Sequence, residues 1–292
     1  MSAHQDHDET MPDRAGRPVA ALRTALFVPG SRPDRFAKAA AAGADAVIID
    51  LEDAVAPEDK SSALQATIAA LESGELAALV RINGVSTPTH AAEVSALARV
   101  ASQDGLVGVV LPKAESPDEI RSLAAALGPA VPIVALIESA RGLVGAAAIA
   151  GAGAARLALG AIDLSVDLDA EIDAVIDYAR IQLVVASRLA GLPGPIDSPS
   201  VEVQDGARVE AEARRARRLG CTGKLSIHPR QLDAIRSAFT PSADAIERAR
   251  RILGAGTVGA GQVDGQMVDR PVLERARRLL LAAGLEPEEA SS

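Results

Sequence analysis

The chain has 292 residues, 48% of them hydrophobic, a net charge of −9, one cysteine, no tryptophan and 1% aromatics. That is enough apolar material for one large domain or two small ones, with a core that must be built from Ala, Leu, Val and Ile. The acidic balance and the lack of a basic stripe interleaved with aromatics argue against nucleic acid as the main partner. No run of about 18 uncharged apolar residues offers a membrane span. The single Cys221 permits neither a disulfide framework nor a cysteine-based zinc site, which fits a reducing compartment and makes a cytoplasmic location the expectation.

The first stretch is polar and acid-rich and lacks the apolar segment of a secretion signal, so a disordered tail is expected over residues 1–20, with His4 and His7 solvated in it. Eight short apolar runs follow, at 25–29, 46–50, 78–82, 108–112, 132–138, 156–161, 194–197 and 223–227. Each has the length of a strand buried on both faces. Between them the spacing is helical, at 35–42, 60–71, 91–101, 117–127, 143–150, 171–190 and 201–219. Strands alternating with helices predict parallel βα units, and eight of them predict an α/β fold, a closed (β/α)8 TIM barrel over residues 21–253. The seventh strand is the weakest, being short and bounded by prolines.

Beyond the eighth run, 231–238 and 244–253 read as helices. Residues 254–265 are glycine-rich, and a basic helix is expected at 272–282. Gly254, Gly256 and Gly259 have dinucleotide-fingerprint spacing, but they follow a helix rather than a strand, so a hinge is expected. The segment 254–292 then reads as hinge plus C-terminal helical lid or intersubunit arm. Asp167, Asp169, Glu171 and Asp173 alternate like a calcium loop without its glycine, and read as a capped, solvated helix start.

Every run delivers a polar group at its carboxyl end: Ser31 and Arg32, then Asp50, Glu52 and Asp53, then Arg81 and Asn83, then Lys113, Glu138, Asp163, Asp197 and His228. In barrels that end is the active face. Glu138 and Asp163 leave consecutive strands, and two such carboxylates suit a hard divalent cation such as Mg²⁺. The competing reading is that each caps the helix after it. Asp50 reads as scaffold, Lys113 as a bridge between loops, and His228 as a structural hydrogen-bonding group. Arg81 could equally be an ion-pair partner of Asp50 or Glu52.

Seven motifs occur in order: Leu26 to Phe36 (LFVPGSRPDRF), Asp50 to Asp53 (DLED), Val80 to Asn83 (VRIN), Leu111 to Glu115 (LPKAE), Ile137 to Gly142 (IESARG), Gly160 to Leu164 (GAIDL) and Gly223 to Pro229 (GKLSIHP). By these the chain resembles the citrate lyase β-subunit-like branch of the HpcH/HpaI aldolase superfamily. The resemblance implies a Mg²⁺-dependent barrel, with Mn²⁺ as a substitute, forming homotrimers. It implies a carbon–carbon lyase joining or separating an acyl-CoA enolate and a 2-keto acid. Citramalyl-, malyl- and citryl-CoA are the expected thioesters, with acetyl-CoA and a 2-keto acid or oxaloacetate as products. It further implies Glu138 and Asp163 as metal ligands, with Glu138 also at the substrate, and Arg81 as stabiliser of enolate or oxyanion charge. Phe27, Arg32 and Lys38 would hold CoA. Asp53, or Asp269 from a neighbouring subunit's lid, would shuttle the proton. Two alternatives remain: an aldolase acting on free 2-keto-3-hydroxy acids, and a subunit acting on an acyl-carrier-protein thioester.

Overall fold

The computed structural model describes residues 19–74, 76–255, 261–263 and 266–286. The expected tail lies outside these up to residue 18; residues 19–21 form a 3-10 turn, with Val19 buried. The chain divides into two compact units, one ending at residue 235 and one starting at 236.

The first unit is a closed barrel of eight strands in sequence order. They are β1 (Thr24–Pro29), β2 (Ala46–Asp50), β3 (Ala78–Arg81), β4 (Leu106–Leu111), β5 (Ile133–Ile137), β6 (Arg156–Leu159), β7 (Ile196–Asp197) and β8 (Gly223–Ser226). All neighbours pair in parallel, and β1 closes on β8. The weak seventh strand has only two residues. The helices around it are α1 (Phe36–Ala40), α2 (Lys60–Glu72), α3 (His90–Arg99), α4 (Pro117–Leu127), α5 (Ala140–Gly151), α6 (Ala161–Asp167), α7 (Asp173–Leu189) and α8 (Gly206–Leu219). The sequence offered no signal for α6, because its single burying residue, Leu164, sets no period. Nor is α7 capped by an acid: Ile172 stands at its N-cap, and Asp167 instead accepts from the Ala140 amide at the start of α5.

Side chains alternate across each strand, and the two faces bury different partners. Leu26, Val47, Val80, Val109, Ile137 and Leu159 pack outward in one cluster with apolar residues of the helices. Ala25, Ile48, Leu79, Val110, Leu136, Ala158, Ile196 and Leu225 fill the barrel in another. This two-residue period fixes what reaches the mouth. Continuing the inward positions by two places each brings Phe27, Asp50, Arg81, Glu138, Gly160, Ser198 and Ile227 to the carboxyl end. Asp197 falls on the other parity. Although the sequence places it at the active end, it is fully buried on the helix side, bound by Lys224 Nζ and Arg180 Nε at 2.7 Å each.

Arg156 sits at the opposite end, at the start of β6, with no exposed surface. Its Nη1 donates to the carbonyls of Val19 (2.9 Å) and Leu22 (2.7 Å), Nε to Gly194 O (3.0 Å) and Nη2 to Thr222 Oγ1 (2.7 Å). With carbonyls and a hydroxyl as acceptors, burial pulls its pKa down to about 10.

After α9 (Leu232–Phe239), the second unit contains α10 (Ala243–Gly254) and α11 (Arg270–Ala282), packed together through Ala249, Leu253, Ala276 and Leu280. The division falls within the stretch 21–253 expected as the barrel domain, and α10 packs with α11. The stretch expected as a hinge contains described elements. Gly254 ends α10, and β9 (Gly261–Val263) pairs antiparallel with β10 (Gln266–Val268). Hinge residues 256–260, 264 and 265 lie outside the described residues. Among the described residues, no helix is long and apolar enough to cross a membrane.

Candidate active site

The mouth of the barrel holds a cavity of about 400 Å³. Phe27, Asp50, Asp53, Arg81, Glu138 and Asp163 line it, with apolar walls from Leu136, Ile162, Pro199, Leu225 and Ile227. The two carboxylates picked from the sequence thus meet in one cavity. Neither is used as a helix cap. Ser139 caps α5 by accepting from the Gly142 amide, and Gly160 holds the N-cap of α6. Glu138 is buried and accepts from the Lys113 amide at 2.8 Å. Gly160 makes room for it: a Cβ there would lie 2.6 Å from the Glu138 Cβ and closer still to its Oε2. Burial, then the charges of Glu52 and Asp163, push the Glu138 carboxyl up to about 8 in the metal-free protein.

Arg81 is the ion-pair partner of Asp50 and Glu52 that the sequence allowed, and it also lines the cavity. Nε and Nη2 grip Asp50 Oδ1 and Oδ2 at 2.7 Å each, a two-point fit that only a planar guanidinium makes. Nη1 stands 3.0 Å from Glu52 Oε2 and 3.4 Å from Asp53 Oδ2. The Phe27 ring lies 4.8 Å from its Cζ, close enough for a cation–π contact. Burial works against the charge, but the Asp50 bonds and the charges of Asp50, Glu52 and Asp53 together outweigh it and hold the arginine above its ordinary pKa. Asp50 is scaffold, as read: it also accepts the amides of Glu52 and Ala54. Asn83 is scaffold too, bonded to Glu93 and to the Leu51 carbonyl. The His228 ring accepts from the Arg230 amide, a structural bond.

Two residues were undervalued in the sequence. Glu52, nearly buried, joins Arg81 to Lys113, whose Nζ is 2.6 Å from Glu52 Oε1 and 3.8 Å from Asp163 Oδ2. Burial raises the Glu52 pKa against the pull of Arg81. The signal available was parity: Asp50 points inward, so Glu52 two places on could follow it.

Arg32 and Lys38 are not among the residues that line the cavity. Arg32 is exposed and paired with Asp34 through Nε (2.8 Å) and Nη2 (2.7 Å). Lys38 is exposed on α1. Asp269 belongs to the second unit, where it caps α11 by accepting from the Val272 amide.

The donor set suits a hard cation. Five carboxylates (Asp50, Glu52, Asp53, Glu138, Asp163) face two cations, Arg81 and Lys113. Glu52 Oε2 is buried, and its close partner, Arg81 Nη1 at 3.0 Å, is an ion-pair contact without hydrogen-bond geometry. Among the described residues, no three His, Cys, Asp or Glu side chains close into a metal cage. Glu138 and Asp163 could therefore supply only part of a shell, which matches Mg²⁺, an ion that keeps water or substrate oxygens beside one or two carboxylates.

Fold and site together define a barrel with an acidic cavity at the carboxyl ends of its strands. Residues 23–229 match the HpcH/HpaI aldolase/citrate lyase family, and the chain belongs to that family of carbon–carbon lyases. It is 38% identical to a citrate lyase subunit beta-like protein of Mycobacterium tuberculosis, over 89% of this chain and 94% of that one. It is 32% identical to an L-malyl-CoA/beta-methylmalyl-CoA lyase of Cereibacter sphaeroides, over 91% and 96%. The crystal structure of the M. tuberculosis protein CitE in complex with magnesium, acetoacetate and coenzyme A is similar with a TM-score of 0.77 and 36% identity, over 91% of this chain and 99% of that one.

Proposed function

We propose that this chain is a Mg²⁺-dependent lyase that cleaves, or forms, a 3-hydroxyacyl-CoA thioester such as citramalyl-, malyl- or citryl-CoA. The observation that carries this reading is the meeting of Glu138, Asp163 and Arg81 in one cavity at the barrel mouth. Glu138 and Asp163 would hold the cation, which supplies Lewis acidity to the substrate's oxygens. In the cleavage direction a carboxylate takes the proton from the 3-hydroxyl. The oxygen becomes the carbonyl of the 2-keto acid, the adjacent C–C bond breaks, and its electron pair passes to the thioester enolate. A proton returned to the enolate carbon completes acetyl-CoA. Asp53 is the proton carrier within the cavity, more than half exposed and 3.4 Å from Arg81; Asp269 of a neighbouring subunit is the alternative. Arg81 Nη1 offsets negative charge growing on oxygen.

Phe27 would lie under the bound thioester, with Arg32 and Lys38 on the exposed segment after β1 meeting the phosphates of CoA. Arg32 must then release Asp34. Such an exposed pair is weak and screened by solvent, so the exchange costs little. A homotrimer would bring Asp269 to a partner's site.

The test is incubation of the purified protein with citramalyl-, malyl- and citryl-CoA, with Mg²⁺ and with chelator. Acetyl-CoA plus keto acid, abolished by chelator, supports the lyase. A relative 32% identical to this chain, from C. sphaeroides, is a (3S)-malyl-CoA thioesterase. Release of free CoA alone would therefore replace the lyase with a hydrolase. Turnover of free 2-keto-3-hydroxy acids would support the aldolase alternative, and turnover only of a carrier-protein thioester would support the subunit.

A further inference from the structure

We propose that Lys113 is the resident counter-cation of this pocket: its ammonium group stands among the acids where a divalent cation is to be held, and so weakens the pocket's grip on that cation. The inference rests on the metal reading of Glu138 and Asp163 given above.

Lys113 follows β4 with φ of +49°, one of two non-glycine residues in the left-handed region among those described. A side chain with a Cβ is disfavoured there, and such conformations persist where the surroundings enforce them. The left-handed turn aims both ends of the residue at the acids. Its amide donates to Glu138 Oε1 at 2.8 Å, while its Nζ lies 2.6 Å from Glu52 Oε1 and 3.8 Å from Asp163 Oδ2. One residue therefore touches both proposed ligands and the carboxylate bridging to Arg81. The side chain is 51% exposed, so its ammonium group is held by its ion pairs rather than by enclosing packing. Arg81, by contrast, is gripped by Asp50 and is about 11% exposed.

A dication settling between Glu138 and Asp163 meets the Lys113 charge a few ångströms away. In a half-solvated site, removing that charge should tighten binding by about tenfold. The sign separates this role from a merely structural one. If Lys113 only held the carboxylates in place, removing it would loosen the site and weaken binding. Removing a competing charge strengthens it.

The experiment is calorimetric titration of the full chain with Mg²⁺ alone at low ionic strength, for wild type, K113Q, K113G, K113R and E138Q. K113Q should bind about tenfold tighter than wild type and K113R about equally, since it keeps the charge. K113G, which also relaxes the left-handed backbone, should tighten as K113Q does and guards against misfolding of one variant. In chelator K113Q should melt below wild type, with the gap closing on adding Mg²⁺. Equal or weaker binding by both K113Q and K113G, with wild type binding and E138Q not, overturns the role of Lys113 and leaves the metal reading standing. If wild type itself fails to bind, or E138Q binds as well as wild type, the metal reading falls and this inference with it.

Discussion

Arg81 and Asp50 meet through two parallel bonds of 2.7 Å across the β2–β3 edge of the barrel. That grip leaves Nη1 alone to face the cavity acids. Arg81→Lys keeps the charge and loses the fork, so kcat should fall by about 10²–10³ while the fold survives. Arg81→Ala should also strand the buried Asp50 and cost about 3–5 kcal/mol in stability. Steady-state kinetics beside thermal melts separate the two effects. A lysine variant within about twofold of wild type would remove Arg81 from the chemistry.

The raised Glu138 carboxyl makes the metal-free protein pH-sensitive. The folded protein holds that proton to about pH 8, against 4.5 for an ordinary carboxyl. The stabilisation it gives is complete below about pH 4.5 and is lost as pH rises through 8. With chelator, the melting temperature should therefore drop between pH 6 and 9, and Glu138→Gln should flatten the drop. Mg²⁺ should raise the melting temperature more at pH 9 than at 6, because it needs the ionised carboxylate. A Mg²⁺ shift that survives both Glu138→Gln and Asp163→Asn would place the cation elsewhere.

Gly160→Ala puts a methyl group against the Glu138 side chain. Such overpacking typically costs about 1–3 kcal/mol. Displacing Glu138 should also blunt the Mg²⁺-dependent melting shift. A variant that melts normally and responds fully to Mg²⁺ would show that the carboxylate has slack the geometry denies it.

Cys221 is buried, and burial, with the Asp197 charge adding, pushes its thiol up to about 12. A thiol reagent at pH 8 should find no reactive group in the native protein and one per chain after denaturation. Prompt native labelling would mean that the chain around β8 opens far more readily than its packing implies.

The barrel was legible because each strand is a short apolar run that ends abruptly in a polar residue. The meeting of Glu138 and Asp163 in one cavity was legible for the same reason: Leu136 and Glu138 share a strand face, and Asp163 lies one turn past its own strand. What stayed hidden depends on contacts between segments far apart in sequence. Nothing local says that Lys113 reaches Glu52, 61 positions away, or that Asp197 turns toward α7. The Arg32–Asp34 pair is the opposite case, a local contact that competes with the phosphate role expected of Arg32. The β9–β10 ribbon escaped because its strands are three residues each, too short to set an alternating pattern, and its pairing lies in the backbone.

Arg156 gives the molecule a condition for completion. Its acceptors come from the chain start, from 38 residues downstream at Gly194 and from 66 downstream at Thr222. While the polypeptide is being synthesised, the earlier strands can assemble, yet this guanidinium keeps an unmet donor until residue 222 has emerged. A partial barrel thus leaves Nη2 of this guanidinium without its acceptor, which disfavours sealing around an unfinished sheet. Ring closure is thereby timed to the arrival of the last strand, and a ribosome-bound chain ending before residue 222 should remain open to protease where the full-length one resists.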